Sequence, residues 1–172
     1  MQRTSFADWP CSVARVLEII GDPWTPLVLR DAYHGLSRFD EFQRSLGIAR
    51  NTLADRLKRL VEGGVLRTQL YQDNPPRNEY VLTEMGTDFF PVMAAMLTWG
   101  DRWLGGVDGP PVLITDGSCG HAGGAEVVCA HCKTPLELAA ATFAFGPGYP
   151  DEVPVGVPDL RAQPRRRWPE SL

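Results

Sequence analysis

Three groups of side chains in this chain carry chemistry by type and spacing. The first is Arg50, Asn51, Thr52, Arg56 and Arg59 in RNTLADRLKRLVEGG, with Ser37 and Arg38 upstream and Arg77 downstream. A guanidinium can pair two-pronged with guanine and a carboxamide with adenine, while hydroxyls and helix N-terminal N–H groups suit phosphate. The second is Cys119, His121, Cys129, His131 and Cys132 in SCGHAGGAEVVCAHCKTP. Cys129 and Cys132 form a C-x-x-C pair whose thiolates can chelate one tetrahedral Zn²⁺. Cys119 and one of His121 or His131 would complete the set, since Cys119-x-His121 is tight spacing for two ligands on one ion. A redox pair and plain surface cysteines are the rival readings of this cluster; the βαβ context that a redox pair needs is missing. The third is Cys11, which stands just before an apolar helical pattern. Beside a helix N-terminus and Arg15 it is a candidate redox-sensing thiol; the alternative is a small buried residue at a dimer seam.

The elements that must position the first group follow from periodicity. Leu53, Leu57, Leu60 and Val61 recur at helical spacing and form one buried stripe. Arg50, Asn51, Thr52, Arg56 and Arg59 lie largely off that stripe. A short polar helix, Ser37–Gly47, precedes it across the turn Ile48-Ala49. A hairpin, Val65–Thr83, follows, with a Pro-rich tip that carries Arg77. Helix, turn, basic helix and hairpin make a winged helix-turn-helix, whose second helix can enter a major groove while the hairpin tip touches the adjacent backbone.

Ahead of this segment the pattern predicts a helix over Ser12–Ile20 with Ser12 as its cap, a break at Gly21-Asp22-Pro23, and a helix over Pro23–Tyr33. Behind it, Thr83 caps one long helix that runs to about Trp103 and carries Phe89, Phe90, Val92, Met93, Met96, Leu97, Trp99 and Trp103. That is more apolar surface than a small winged domain can cover. The expected solution is a homodimer that pairs this helix and the N-terminal one with their mates, with Val13, Leu17, Phe89, Met93, Met96 and Trp99 at the interface. Packing of the helix within its own monomer or onto the C-terminal extension is the alternative. The fold class is therefore α+β, mostly α: a winged helix-turn-helix with a long C-terminal dimerisation helix and a small Cys/His extension. The expected domains are a flexible arm (1–10), a winged DNA-binding and dimerisation domain (11–104), a Cys-rich, zinc-ribbon-like extension (105–145) and a disordered Pro/Arg-rich tail (146–172). No internal repeat is visible.

Composition narrows the function class. The chain has 172 residues and a net charge of −4. Arg50, Arg56, Lys58, Arg59 and Arg67 stand against Asp55 and Glu62, a local +3. A basic face on an acidic protein fits a site-specific regulator rather than a nonspecific DNA coat. The sequence has no 18-residue apolar run and no signal-peptide pattern, so a cytoplasmic protein with no membrane partner is expected, with cysteines reduced, metal-bound or redox-active.

Several landmarks occur together: Cys11, the I-G-x-x-W-T-x-x-x-L-R run (Ile20–Arg30), R-F-x-E-F (Arg38–Phe42), I-x-x-x-x-L-x-x-R-L-x-x-L (Ile48–Leu60), G-V-L (Gly64–Leu66), P-P-R-x-E-Y-x-L-T (Pro75–Thr83) and M-x-x-W-x (Met96–Asp101). In this combination the chain resembles HxlR-type transcriptional regulators over residues 11–103. The resemblance implies a dimeric winged-helix protein that binds double-stranded DNA, a repressor or activator in a bacterial cytoplasm. It also implies that Cys11 senses electrophiles or oxidants, as the matching cysteine does in some members. Pro23 and Pro26 depart from the usual pattern. The effector, the operator and the regulated genes are not legible. The rival functions are a thiol- or zinc-dependent enzyme, or a protein-interaction adaptor, built on the C-terminal cysteines. The enzyme lacks a Ser-His-Asp set, an H-E-x-x-H and a phosphate loop.

Overall fold

A computed structural model describes residues 5–162 of the chain. They form two compact units. One is Ile19–Ala125; the other combines the segment up to Glu18 with the segment from Glu126 onward.

The winged unit contains α2 (Thr25–Tyr33), α3 (Phe39–Leu46), α4 (Arg50–Glu62), β1 (Leu66–Asp73), β2 (Pro76–Leu82), α5 (Glu84–Asp88) and α6 (Phe90–Leu104). Helix α1 (Ser12–Ile20) precedes them. The core is built where the apolar stripes meet: Val28, Leu29, Phe42, Leu53, Leu57 and Leu60 are wholly buried. Each such side chain removed from water contributes about 1.5–3 kcal/mol. Gly47 ends α3 in the left-handed region (φ 64°), which only glycine adopts freely. The turn then buries Ile48 and leaves Ala49 extended at the start of α4. Strands β1 and β2 pair antiparallel, with Leu66 opposite Leu82 and Gln72 opposite Arg77.

The single long helix expected from Thr83 to Trp103 is two helices. Thr83 does cap the first: its Oγ1 accepts the Gly86 N–H at 3.1 Å. Phe89 then separates α5 from α6. Pro91 causes the break, because it has no N–H to donate and its ring clashes with the carbonyl four residues back. Gly86 sits so close to β1 that an added Cβ would collide with the Val65 carbonyl. Helix α6 exposes Phe90, Val92, Met96, Trp99 and Trp103, and buries Ala94. Beyond Ala94 no described residue is buried.

Two further expectations change. The α1 helix starts at Ser12, and the Arg15 N–H bonds the Cys11 carbonyl (3.1 Å), so Cys11 rather than Ser12 holds the cap position. The segments read as a loose arm and a structureless tail hold local structure where they are described. The Phe6 N–H donates to the Glu18 carboxylate (2.7 Å), and Phe6 packs edge-on against Trp9. The Tyr149 hydroxyl bonds Asp159 (2.7 Å), and Arg161 chelates the same carboxylate. Hydrogen bonds from Arg161, and then from Tyr149, hold the Asp159 pKa down at about 2. Side-chain bonds over short loops supply here what apolar burial does not. The basic run Arg165–Arg167 lies outside the described residues.

Candidate nucleic-acid interface

The α3–turn–α4 segment and the wing belong to one unit, so their geometry can be read together. Asn51 and Arg77 are exposed, Thr52 and Arg59 half-buried. Among the described residues the side chains of Asn51, Arg59 and Arg77 form no hydrogen bond or ion pair. Arg50 is exposed but folded back on α3. Its guanidinium bonds Gln43 Oε1 (3.0 Å), lies 3.6 Å from Asp40 and covers the Phe39 ring at 4.8 Å. Arg38 stacks on Tyr71 of β1 at 4.4 Å. Glu41 fixes the start of α3, accepting the Arg38 N–H (2.9 Å) and the Ser37 N–H (3.1 Å); these two bonds hold its carboxyl below the usual range.

Two members of the expected DNA-reading set are occupied elsewhere. The Arg56 Nε donates to Asp22 Oδ1 at 2.7 Å, and both side chains are mostly buried (19% and 13% exposed). Asp22 also accepts the N–H groups of Trp24 and Thr25 and the Thr25 hydroxyl. Burial alone would raise its pKa. The bonds from Thr25 and Trp24, with the Arg56 charge, outweigh burial and hold it below the ordinary carboxylate value. Arg56 therefore ties α4 to the start of α2. The Ser37 hydroxyl donates to Glu79 (2.8 Å), and the Ser37 carbonyl accepts the Tyr80 N–H (2.7 Å). Ser37 thus joins the start of α3 to the wing. Sequence reading missed the positioning residues Asp22, Glu41, Gln43, Tyr71 and Glu79. Only Asp22 and Glu41 left a signal, as acids just ahead of or inside the first turn of a helix.

The remaining expected residues are placed as follows. Val13, Leu17, Met96 and Trp99 are exposed, and Met93 is half-buried. Phe89, expected at the dimer seam, packs against the winged core. Cys11 lines an apolar cavity of about 270 Å³ with Phe6, Trp9, Leu17, Pro158 and Leu160. Cys119 and His121 lie on one small hairpin, Cys129 and Cys132 on another. Hydrogen bonds from Thr134, and then Cys129, lower the Cys132 pKa to about 7. Among the described residues no three His, Cys, Asp or Glu side chains gather into a group able to hold a metal ion. No helix among them is long and apolar enough to cross a membrane.

The model of the HxlR-like helix-turn-helix family matches residues 19–108, the segment that carries this interface. The chain belongs to that family. It is 40% identical over 138 residues to an uncharacterized HTH-type transcriptional regulator of Mycobacterium tuberculosis, which covers 80% of this chain and 87% of the relative. That match is longer than the family segment, so it reaches outside residues 19–108. Among solved structures, PA1607, a candidate transcription factor, matches with 38% identity and a TM-score of 0.74 over 82% of this chain and 99% of its own. The redox regulator HypR in its reduced form matches with 31% identity and a TM-score of 0.50 over 55% of this chain and 96% of its own. This HxlR-type chain is a transcriptional regulator and not an enzyme.

Proposed function

We propose that this HxlR-type regulator binds a palindromic operator as a homodimer and represses nearby genes until a small molecule or a thiol-reactive signal releases it. The observation that carries the DNA reading is the N-terminal turn of α4, with Asn51 exposed and Arg50 hinged over Phe39, in the same unit as the exposed wing tip Arg77. The set offered to DNA is Arg50, Asn51, Thr52 and Arg59 on α4, Arg38 at the foot of α3, and Arg77 on the wing. The exposed apolar face of α6, centred on Met96 and Trp99, supports pairing with a second copy. Val13 and Leu17 add apolar surface on α1. The cavity beside Cys11 supports a small apolar or electrophilic effector.

A gel-shift with the DNA upstream of the chain's own gene tests this reading. Arg50→Ala or Asn51→Ala should cost about 1–3 kcal/mol and relax base preference. Arg77→Ala should weaken binding alike on all sequences and lower the salt slope by about one. Sedimentation at micromolar concentration should report about twice the chain mass. A monomer that binds a full palindrome, or operator affinity unmoved by Arg50→Ala/Asn51→Ala, would remove the assignment.

A further inference from the structure

Two small hairpins beyond α6 are closed by the same turn but present different side-chain pairs. In the first, Thr115 pairs with Ala122. Inside that frame the Asp116 N–H bonds the His121 carbonyl (3.0 Å), and the Gly120 N–H bonds the Asp116 carbonyl (2.7 Å). In the second, Val128 bridges Pro135. There the Cys129 N–H bonds the Thr134 carbonyl (2.8 Å), and the Lys133 N–H bonds the Cys129 carbonyl (3.0 Å). Gly120 and Lys133 hold the matching left-handed position, at φ 75° and 60°. The turn is therefore a repeat, with Cys119 and Cys132 as its one identity in sequence.

The repeat isolates what is particular to the second turn. In the first, Cys119 donates to the Asp116 carboxylate, which also accepts from Ser118 (2.8 and 2.6 Å). A carboxylate cannot close a disulfide. In the second, a cysteine stands where the first has Asp116, and the Cys129 and Cys132 thiols hydrogen-bond each other. Both thiols are free; Cys132 is exposed and Cys129 half-buried. The Thr134 hydroxyl and N–H also bond the Cys132 sulfur and, with Cys129, lower its pKa to about 7. Much of Cys132 is then thiolate at neutral pH, the form that reacts with oxidants.

No residue of either hairpin is buried, so no apolar packing resists a small change in the turn. The Cys129–Thr134 and Lys133–Cys129 backbone bonds keep the two cysteines on one turn whatever the state of their sulfurs. Disulfide transfer between proteins calls for a C-x-x-C pair at a helix start in a βαβ frame. A pair that is itself oxidised needs less: adjacent sulfurs, one of them an exposed thiolate.

We propose that Cys129 and Cys132 are a reversible dithiol–disulfide pair, in which Cys132 attacks a hydroperoxide and Cys129 resolves the product. The Cys132 thiolate attacks the peroxide oxygen and the O–O bond breaks. The alcohol, or water from hydrogen peroxide, leaves with a proton from solvent, and Cys132 becomes a sulfenic acid. The Cys129 sulfur then attacks the Cys132 sulfur. The S–O bond breaks, the S–S bond forms, and water leaves with the Cys129 proton. Two electrons pass from the sulfur pair to the peroxide, and a dithiol reductant returns them.

The test treats the reduced full chain with hydrogen peroxide, alkylates the remaining thiols and reads the products by mass spectrometry. The expected product carries a Cys129–Cys132 disulfide, leaves Cys119 alkylated and returns to the dithiol with dithiothreitol. Cys129→Ser should stop at a Cys132 sulfenic acid that dimedone traps, and Cys132→Ser should leave Cys129 reduced. Both substitutions lie in a turn without a core, so each variant should fold. Cys129 and Cys132 still fully alkylated after peroxide overturn the proposal, as do faster oxidation of Cys119, pairing of Cys132 with Cys11 or Cys119, and zinc held by the pair in the purified chain. Dimedone labelling of Cys129 in Cys132→Ser overturns the assignment of attacker and resolver. The assay contains no DNA, so its outcome is independent of the operator reading.

Discussion

The core of the winged unit and the two small C-terminal hairpins, around Cys119 and Cys132, are held in opposite ways. The first is determined by what it hides: Phe42, Leu53, Leu57 and Leu60 are shut off from water, and the helices have one way to close over them. The hairpins hide nothing and are held by repeated backbone bonds and side-chain pairs. A region with a core tolerates surface change and fails when its interior is altered. A region without one should show the reverse, insensitive to its apolar residues and dependent on its few polar ones.

That contrast can be broken most directly by paired truncations. Leu57→Ala, in the winged core, should cost about 2–5 kcal/mol in denaturant unfolding. Val127→Ala, in a hairpin, should stay within about 0.5 kcal/mol. Similar losses at both positions would mean that the hairpins have an apolar core after all.

The next effect concerns the partly buried pair of the winged unit. Arg56→Ala should lower stability by about 1–3 kcal/mol, because it strands the Asp22 charge. It should leave base preference unchanged, unlike Arg50→Ala. Relaxed specificity in a fully stable Arg56→Ala would return Arg56 to the reading surface. The same pair predicts a pH dependence. The folded Asp22 carboxyl titrates below its unfolded value, so its contribution is complete above about pH 4 and fades as pH falls through the lower folded pKa. Asp22→Asn should flatten acid unfolding in that window; an unchanged acid limb would show that the carboxylate contributes nothing.

The smallest effect belongs to the hairpins. Lys133→Gly relieves a left-handed residue and should raise the local stability of the second turn by about 1 kcal/mol, read as slower exchange of the Cys129 amide, which donates to the Thr134 carbonyl. Faster exchange would mean that the lysine side chain, not the turn shape, holds that loop.

Much of the winged unit was legible because it rests on periodicity. The stripe Leu53–Leu57–Leu60, the turn before Arg50 and the wing strands all stand as expected. Local rules set against that pattern were harder to weigh. Pro91 cut a continuous apolar run into two helices, since a missing N–H overrides a hydrophobic stripe. The intramolecular partners of Arg56 and Ser37 were hidden for another reason. Asp22 and Glu79 are far along the chain, and an exposed arginine and a tied one look alike in sequence. The hairpin repeat was hidden because backbone bonds, not side chains, define it.

Arg50 already has acceptors of its own in Gln43 and Asp40, and a ring to lie on in Phe39. In the proposed operator complex it would give these up to meet a base. A guanine edge returns two hydrogen bonds for those it displaces, and a mismatched edge returns fewer. In the proposed operator complex the side chain would act as a comparator: on the wrong sequence its better partner is at home.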